Sequence, residues 1–210
     1  MVYTIDGIKS DLSTLDAKQF YKQYIVKSDN WYFRNVLGIP KSSIIDALDD
    51  FKDIVSTNLN VSFNSVMMVG SGKLGYSLSP SKVFKPFELE TDSENKSDID
   101  VAIISADTFE YFWKLYRQSY SVKNSRIYKY VSREIYRGYI NERNLNEIDQ
   151  CRKEWNALSN KCNRMLKSNL FLRHEITYRI YRSWEDFEEY NLLTIQTIMN
   201  EVSKNGLYIS

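Results

Sequence analysis

The spacing of apolar residues predicts a chain in which helices alternate with a few strands. After Pro40, apolar residues recur every three or four positions on one face of an amphipathic helix: Ile44, Leu48, Phe51 and Val55. Residues 60–69 alternate and then become continuously apolar, which is typical of a strand that enters a covered sheet. Residues 98–105, with the sequence DIDVAIIS, predict a second strand.

The rest of the chain predicts mostly helical structure. Four segments have a clear pattern: a short strand or arm (2–5), an aromatic-rich helical stretch (17–36), a continuously helical region (107–166) and an alternating strand (171–181). Ser183 and Asp186 have the spacing of a capping box for a last helix over 184–204, which Asn205-Gly206 would end. We therefore expect an α/β (α+β) fold, with a small mixed sheet flanked by helices and a helical segment after the second strand.

Length and composition fit a single folded domain. The chain has 210 residues, of which 43% are hydrophobic, and it contains no internal repeat. Its expected parts are an N-terminal helical part (1–58), two strands with a loop (60–105), a basic helical part (106–170) and a last strand and helix (171–210). No apolar run approaches the roughly 18 residues of a membrane span, and the first residues lack the basic and apolar regions of a signal peptide. These patterns predict a cytoplasmic protein with no membrane partner.

The few cysteines and the single histidine limit the chemistry. Cys151 and Cys162 lie 11 residues apart in one predicted helix, so about 16 Å separates them, which is too far for a disulfide. We expect both to be buried free thiols. The single histidine, His174, excludes a histidine-rich zinc site. A metal ion would therefore be held mainly by carboxylates, which favours Mg²⁺ or Mn²⁺.

The net charge of +1 conceals a strong segregation of charge along the chain. Residues 1–100 carry 11 basic and 14 acidic side chains, whereas residues 112–182 carry 16 basic and 6 acidic ones. Residues 183–210 return to one basic and five acidic side chains. The basic segment could attract the phosphates of a nucleotide or of RNA. Alternatively, it is a solvated helical surface whose arginines pair with the acidic ends of the chain.

Tyrosines are interleaved with these basic residues. Seven lie between positions 111 and 139: Tyr111, Tyr116, Tyr120, Tyr128, Tyr130, Tyr136 and Tyr139. Such side chains could stack on the bases of single-stranded or looped RNA. They could equally be ordinary aromatics in the packing between helices.

The strongest local signal for chemistry combines a glycine turn with a pair of aspartates. Gly70-Ser71 follows the first apolar strand, and Asp98 and Asp100 lie two positions apart at the start of the second. In a strand, this spacing places both carboxylates on one face. Two adjacent carboxylates repel, and a divalent cation relieves that repulsion while also binding a triphosphate. A glycine allows the backbone to approach phosphate oxygens, to which the Ser71 hydroxyl and the neighbouring amides can donate.

In these residues the chain resembles the DNA polymerase β-like nucleotidyltransferase superfamily, through the segments VMMVGS and SDIDVAII. The resemblance covers about 15 positions. It implies transfer of a nucleoside monophosphate from a nucleoside triphosphate, with ATP as the first choice, to an acceptor hydroxyl on RNA, tRNA or protein. It also implies two Mg²⁺ ions bound by Asp98 and Asp100. Small stand-alone bacterial members of the superfamily often belong to toxin–antitoxin or phage-defence systems.

The chain departs from the pattern of this superfamily in two respects. Ser71 and Asp98 are 27 residues apart, far more than in compact members, so residues 78–96 are interpreted as an insertion. No clear motif marks the third family carboxylate. The best candidate is Glu175, because the alternation of the strand places it on one polar face with Arg173, Thr177 and Arg179. This face could bind a metal ion and a phosphate, with Arg179 as one of the nucleotide contacts. Alternatively, it is an exposed strand face on which an arginine pairs with Glu175.

The glycine cluster also matches other phosphate-binding patterns in part. Gly70-Ser-Gly-Lys-Leu-Gly75 satisfies GxGxxG, but the following Tyr76-Ser-Leu-Ser-Pro80 is a poor start for the helix that a dinucleotide site requires. Lys73 within the cluster is either a phosphate contact or a solvated side chain. An alternative function follows from the doubtful third acid: a catalytically incomplete module that acts as a nucleotide sensor, an antitoxin or an RNA-binding partner.

Overall fold

The computed structural model describes residues 3–92, 94 and 96–205. Its centre is one four-stranded mixed sheet with strands β1 (Val66–Val69), β2 (Asp98–Ile104), β3 (Tyr139–Asn141) and β4 (Glu175–Tyr181). The strand order is β1-β2-β4-β3, in which β2 and β4 are parallel and the two outer pairs are antiparallel. The expected fold class, a small mixed sheet flanked by helices, is confirmed.

Helices make up most of the remaining chain. In chain order they are α1 (Ile5–Thr14), α2 (Ala17–Phe20) with a π-helical continuation (Tyr21–Val26), α3 (Trp31–Asn35), α4 (Ile44–Leu59), α5 (Gly70–Leu74), α6 (Ala106–Gln118), α7 (Ser125–Tyr136), α8 (Glu142–Leu145), α9 (Asp149–Asn169) and α10 (Trp184–Asn205). Over the described residues, none of these helices combines the length and apolar character that crossing a membrane requires.

The two faces of the sheet are covered by different groups of helices. On one face, Ile99, Val101 and Ile103 of β2 pack with buried side chains of α4, α6 and α9. On the other face, Ala102 and Ile104 pack with α1, the π-helical turn and α10. This second face is apolar only along part of β2, because the strand begins with Asp98 and Asp100 on the same side. The fold thus leaves a polar end on one face of an otherwise covered sheet.

Several predicted boundaries need correction. Residues 2–5 do not form a strand where the structure describes them, because α1 begins at Ile5 and the Thr4 hydroxyl accepts a hydrogen bond from the Gly7 amide. The strand predicted over 60–69 is confined to β1, since Asn60 adopts a left-handed conformation that ends α4. The helix predicted over 17–36 is interrupted between Val26 and Trp31.

The prediction that residues 107–166 are helical throughout is wrong in one place, because β3 lies between the helices of this region. Tyr139 and Asn141 pair with Tyr181 and Arg179 of β4, and the amide of Arg182 donates to the carbonyl of Gly138 at 2.9 Å. A three-residue strand is too short to show an alternating pattern, which explains why periodicity misses it.

Other predictions are confirmed. The amide of Asp186 donates to the Ser183 Oγ at 3.1 Å at the start of α10, as the predicted cap requires. Gly206, which was expected to end this helix, lies outside the described residues. Cys151 and Cys162 are buried free thiols, and burial raises the pKa of Cys151 to about 11.

The edge of β4 beyond β3 is completed by a side chain. Glu142 accepts hydrogen bonds from the backbone amide of Tyr178 at 2.8 Å and from the indole nitrogen of Trp155 at 2.7 Å. Trp155 is fully buried, so both donors depend on this carboxylate. Glu142 thereby anchors the strand that carries Thr177 and Arg179.

We expect Glu142→Ala to lower the free energy of unfolding by about 2–4 kcal/mol, because two buried donors would lose their acceptor. Urea denaturation checks this, with Glu147→Ala at a neighbouring exposed position as the matched control, for which a change under about 0.5 kcal/mol is expected. Equal effects of the two substitutions would contradict the role assigned to Glu142.

Candidate functional site

The pairing of the strands places the predicted site residues beside one another. In the parallel pair β2–β4, Asp98 lies opposite Glu175 and Asp100 lies opposite Thr177. On the other side of β2, Asp100 pairs with Val69, the last residue of β1, so that Gly70 follows directly at the same edge. The glycine turn, the two aspartates and β4 therefore meet at one corner of the sheet.

The two aspartate side chains converge on a single hydroxyl. The Thr177 Oγ1 lies 3.2 Å from the Asp98 Oδ2 and 3.5 Å from the Asp100 Oδ1. The intervening Ile99 is fully buried on the opposite face. The predicted geometry of two carboxylates on one face of a strand is therefore present. Sequence reasoning placed Thr177 on this face but assigned it no part in the pair.

The electrostatics of Asp100 reflect this crowding. Burial, followed by repulsion from Asp98, raises the pKa of the Asp100 carboxyl to about 6. Arg179, the hydrogen bond from Thr177 and Lys82 act in the opposite direction without cancelling the increase. Asp100 therefore holds its proton more tightly than an exposed aspartate, first because it is buried and second because Asp98 is close.

Gly70 packs directly against the pair. Its φ is +68°, and a Cβ at this position would overlap the Asp100 carboxylate. Only glycine therefore fits here, for both conformational and steric reasons. Ser71, the next residue of α5, is half-buried. The sequence predicted a close approach of this backbone to phosphate oxygens, and that stays a prediction, because the group that Gly70 approaches here is the Asp100 carboxylate.

Lys73 has a different environment from the one predicted. It is 4% exposed, and its Nζ donates to the carbonyl oxygen of Lys27 at 2.6 Å. Burial lowers its pKa to about 8, partly offset by attraction to Asp29. Lys73 is therefore not a solvated side chain, and its ammonium group is bound to backbone. Its placement gives no support to a role in phosphate binding.

Lys82 is a cation that sequence reasoning missed. It lies in the turn Pro80–Lys82 of the segment that was interpreted as an insertion, and its charge acts on Asp100. Two adjacent backbone amides of the segment bind residues that flank it in sequence. The amide of Phe87 donates to the Gly75 carbonyl at 2.8 Å. The amide of Glu88 donates to the Ser97 Oγ at 2.9 Å.

His174 fixes the same segment from the other side. Its buried ring bonds the Tyr32 hydroxyl at 2.9 Å through Nδ1 and the Glu88 carbonyl at 3.0 Å through Nε2. Burial lowers its pKa, which favours the neutral ring. The single histidine is thus part of the framework that positions the loop, a role that its sequence context did not indicate.

Glu175 lies in the predicted strand, but its side chain is directed to Lys96 and not to the aspartate pair. Its side chain is exposed and forms an ion pair with Lys96, with 3.3 Å between the Oε2 and the Nζ. Among the residues that the structure describes, no three or more His, Cys, Asp or Glu side chains are gathered in a group that could hold a metal ion. The donor set defined by geometry is therefore the aspartate pair.

Arg179 follows Thr177 by two positions in β4, so its side chain lies on the same face of the sheet. Its guanidinium stands over the rings of Tyr139 at 5.3 Å and Tyr190 at 4.8 Å, and its Nη1 donates to the Tyr181 hydroxyl at 3.4 Å. Its Nε is buried and has no hydrogen-bond partner among the described residues. Arg179 thus places a fixed positive charge between the aspartates and a group of tyrosines.

Comparisons with known proteins add no relative. No protein-family model matches the chain, and neither the curated proteins nor the solved structures yield a match. The resemblance to nucleotidyltransferases therefore depends on the residues of the glycine turn and the aspartate strand alone.

We expect Asp100→Asn to raise the free energy of unfolding in the presence of a metal chelator by about 1–3 kcal/mol at pH 7.5, because it removes a buried charge that Asp98 repels. The pKa of Asp100 is higher in the folded protein, about 6, than its ordinary value of 3.8. The ionised group therefore destabilises the fold above pH 6, and the difference between variant and wild type should shrink as the pH falls from 6 towards 4.

Urea unfolding at several pH values measures this difference. The control is Asp50→Asn, at an exposed position in α4, where little change is expected at any pH. A variant no more stable than the wild type at pH 7.5 would refute the proposed repulsion.

Proposed function

We propose that this protein is a metal-dependent nucleotidyltransferase that moves a nucleoside monophosphate from a nucleoside triphosphate, with ATP as the first candidate, to an acceptor hydroxyl on RNA, tRNA or protein. The observation that supports this best is the convergence of Asp98 and Asp100 on the Thr177 hydroxyl, with Gly70 packed against Asp100. This arrangement combines a hard-oxygen donor pair with a stretch of backbone free to approach a phosphate.

The donor set fits Mg²⁺ or Mn²⁺. Both groups are carboxylates, they lie on one face, and a cation between them would relieve the repulsion that Asp98 exerts on Asp100. Asp98 and Asp100 would hold the metal, with Glu175 as the proposed third ligand because its backbone lies opposite Asp98. When bound, such ions neutralise the triphosphate and make the α-phosphorus more electrophilic.

The remaining residues bind and orient the substrates. Gly70 and Ser71 offer backbone amides and a hydroxyl to phosphate oxygens. Lys82 and Arg179 provide positive charge close to Asp100, which would attract the triphosphate. The acceptor oxygen bonds to the α-phosphorus while the bond to the bridging oxygen breaks towards pyrophosphate. The hydroxyl proton passes to a carboxylate of the pair.

A role in a toxin–antitoxin or phage-defence system is part of the proposal, and it is supported only by the resemblance to small bacterial nucleotidyltransferases. The acceptor, whether RNA, tRNA or protein, would determine which cellular process such a system inhibits.

A second candidate function is a nucleotide-binding module without turnover, acting as a sensor or antitoxin. The exposed Glu175, paired with Lys96 and separate from the aspartate pair, favours it. The two functions differ in one measurement. With Mg²⁺, the four nucleoside triphosphates and candidate acceptors, an enzyme releases pyrophosphate, whereas the module binds nucleotide without releasing any.

We expect the double substitution Asp98→Asn with Asp100→Asn to abolish transfer of labelled nucleoside monophosphate, because the donor pair for the metal is lost. The two side chains keep their size, so the thermal unfolding midpoint should not fall. Asp50→Asn serves as the control with full activity. Undiminished labelling by the double variant would disprove the proposed mechanism.

The role of Glu175 can be tested separately through the metal dependence. If it becomes the third ligand, Glu175→Gln should raise the Mg²⁺ concentration needed for half-maximal transfer by roughly 10-fold or more. Lys96→Gln breaks the same ion pair without removing the carboxylate, so it should leave this concentration equal or lower. Identical Mg²⁺ dependence of Glu175→Gln and wild type would exclude Glu175 from the metal site.

A further inference from the structure

A groove of about 840 Å³ lies between α2 and the first half of α10. Its volume is within the range of roughly 300–1,000 Å³ that is usual for binding sites. Its apolar lining consists of Ala17, Leu192 and Leu193, and 53% of the surface of Leu193 is exposed. No residue to which the proposed function assigns a metal or a nucleotide lines this groove.

The charged lining of the groove is mostly acidic. It consists of four acids and one base, namely Asp16, Lys18, Glu185, Glu188 and Glu189. Lys18 already pairs with Glu188, with 3.5 Å between the Nζ and the Oε1. Glu185 and Glu189 are exposed and form no ion pair within the described residues. This acidic groove therefore suits a partner that brings positive charge together with an apolar or aromatic side chain.

The exposed side of α7 has the complementary chemistry. Arg126, Lys129 and Arg133 follow one another at intervals of three and four positions, all three are exposed, and none forms an ion pair within the described residues. Tyr136 comes three positions later and is 90% exposed. Tyrosine and arginine are the residue types that contribute most often to the centres of protein interfaces. We call these four residues the α7 face.

Little of this charge is neutralised within one copy of the chain. The sequence left open whether the arginines of residues 112–182 pair with the acidic ends of the chain. Among the described residues, Arg182–Asp186 is the one ion pair that joins this basic segment to α10. The basic α7 face and the acidic groove therefore both remain available for contacts with another molecule.

The two surfaces adjoin one another on α10. Glu189 and Leu193 line the acidic groove, and both also line a cavity between α7, β3 and α10 whose wall includes Arg133 and Tyr136. A two-fold axis that lies in the plane of contact and passes near Leu193 would place the α7 face of each copy opposite the acidic groove of the other. A self-complementary arrangement of this kind is the commonest one among homo-oligomers.

We propose that the protein forms a two-fold symmetric dimer in which the α7 face of each copy docks in the acidic groove of the other. The ring of Tyr136 would pack against Leu193, with the cations of the α7 face opposite Glu185 and Glu189. A second copy is favoured over an unrelated basic protein because this chain carries both complementary surfaces side by side. The inference is independent of the proposed function, since neither surface includes the aspartate pair.

Sedimentation equilibrium of the full chain at low salt tests this proposal. We expect a dimer whose dissociation constant rises with salt, because the contact joins exposed opposite charges. Lys129→Glu with Arg133→Glu should raise the dissociation constant by about 100-fold, since acids would then face acids. Tyr136→Ala should raise it by about 10-fold. The matched control is Lys153→Glu with Lys161→Glu, which makes the same change of net charge at exposed positions of α9 and should leave the dimer unchanged.

A charge exchange between the two surfaces identifies the contact directly. Glu185→Lys with Glu189→Lys should weaken the dimer as much as the reversal in α7 does, because cations would then face cations. An equimolar mixture of the two doubly substituted proteins should dimerise with close to wild-type affinity, since each contact between the copies again joins opposite charges.

Three results would overturn the proposal. A monomer at concentrations up to about 100 μM at low salt would leave the groove to a different basic protein or to residues 206–210 of the chain. A dimer that withstands both charge reversals would use another surface, and a mixture that fails to associate would separate the α7 face from the groove. The Asp98→Asn, Asp100→Asn double variant should remain dimeric, so failure of the dimer and failure of the transferase are distinguishable.

Discussion

The parallel register between β2 and β4 is the constraint on which the candidate site depends. It sets Asp98 beside Glu175 and Asp100 beside Thr177. A slip of one residue would turn every one of these side chains to the other face of the sheet. The register is secured by apolar burial on the opposite face, where Ile99 and Ile176 alternate with the polar residues. The core therefore supplies the free energy that holds two repelling carboxylates together.

The sequence predicts those features of the site that arise within a single segment. If the segment is a strand, the i, i+2 spacing of Asp98 and Asp100 places both side chains on the same face of the sheet. The seven residues Asp98–Ile104 have the pattern of a strand and form one. Gly70 follows the same logic, because a turn directly after an apolar strand favours glycine. For the aspartates the structure shows the expected arrangement, whereas Gly70, expected in a turn, begins the short helix α5 with a positive φ that suits glycine.

Features that depend on distant segments could not be predicted in this way. In the sequence, Lys82 does not differ from the other lysines of the chain. It acts on Asp100 only because the loop folds back and is held by hydrogen bonds to Gly75 and Ser97. Lys73 is buried because the Lys27 carbonyl lies within reach, 46 positions away in sequence. The three residues of β3 owe their strand conformation to pairing with β4 and not to their own pattern. Periodicity carries no information about such partners.

The segregation of charge along the chain acquires a physical meaning once the fold is known. Part of the basic excess is neutralised locally, as where Arg182 binds Asp186 of the acidic last helix. Another part is stacked on tyrosines, as for Arg137 and for Arg179, whose charge also acts on Asp100. A guanidinium on a ring face keeps its charge available to a ligand, whereas one in a carboxylate pair does not. The stacked arginines therefore leave positive charge on the face of the sheet that carries the aspartates, through Arg179, and at the β3 edge, through Arg137 over Tyr139.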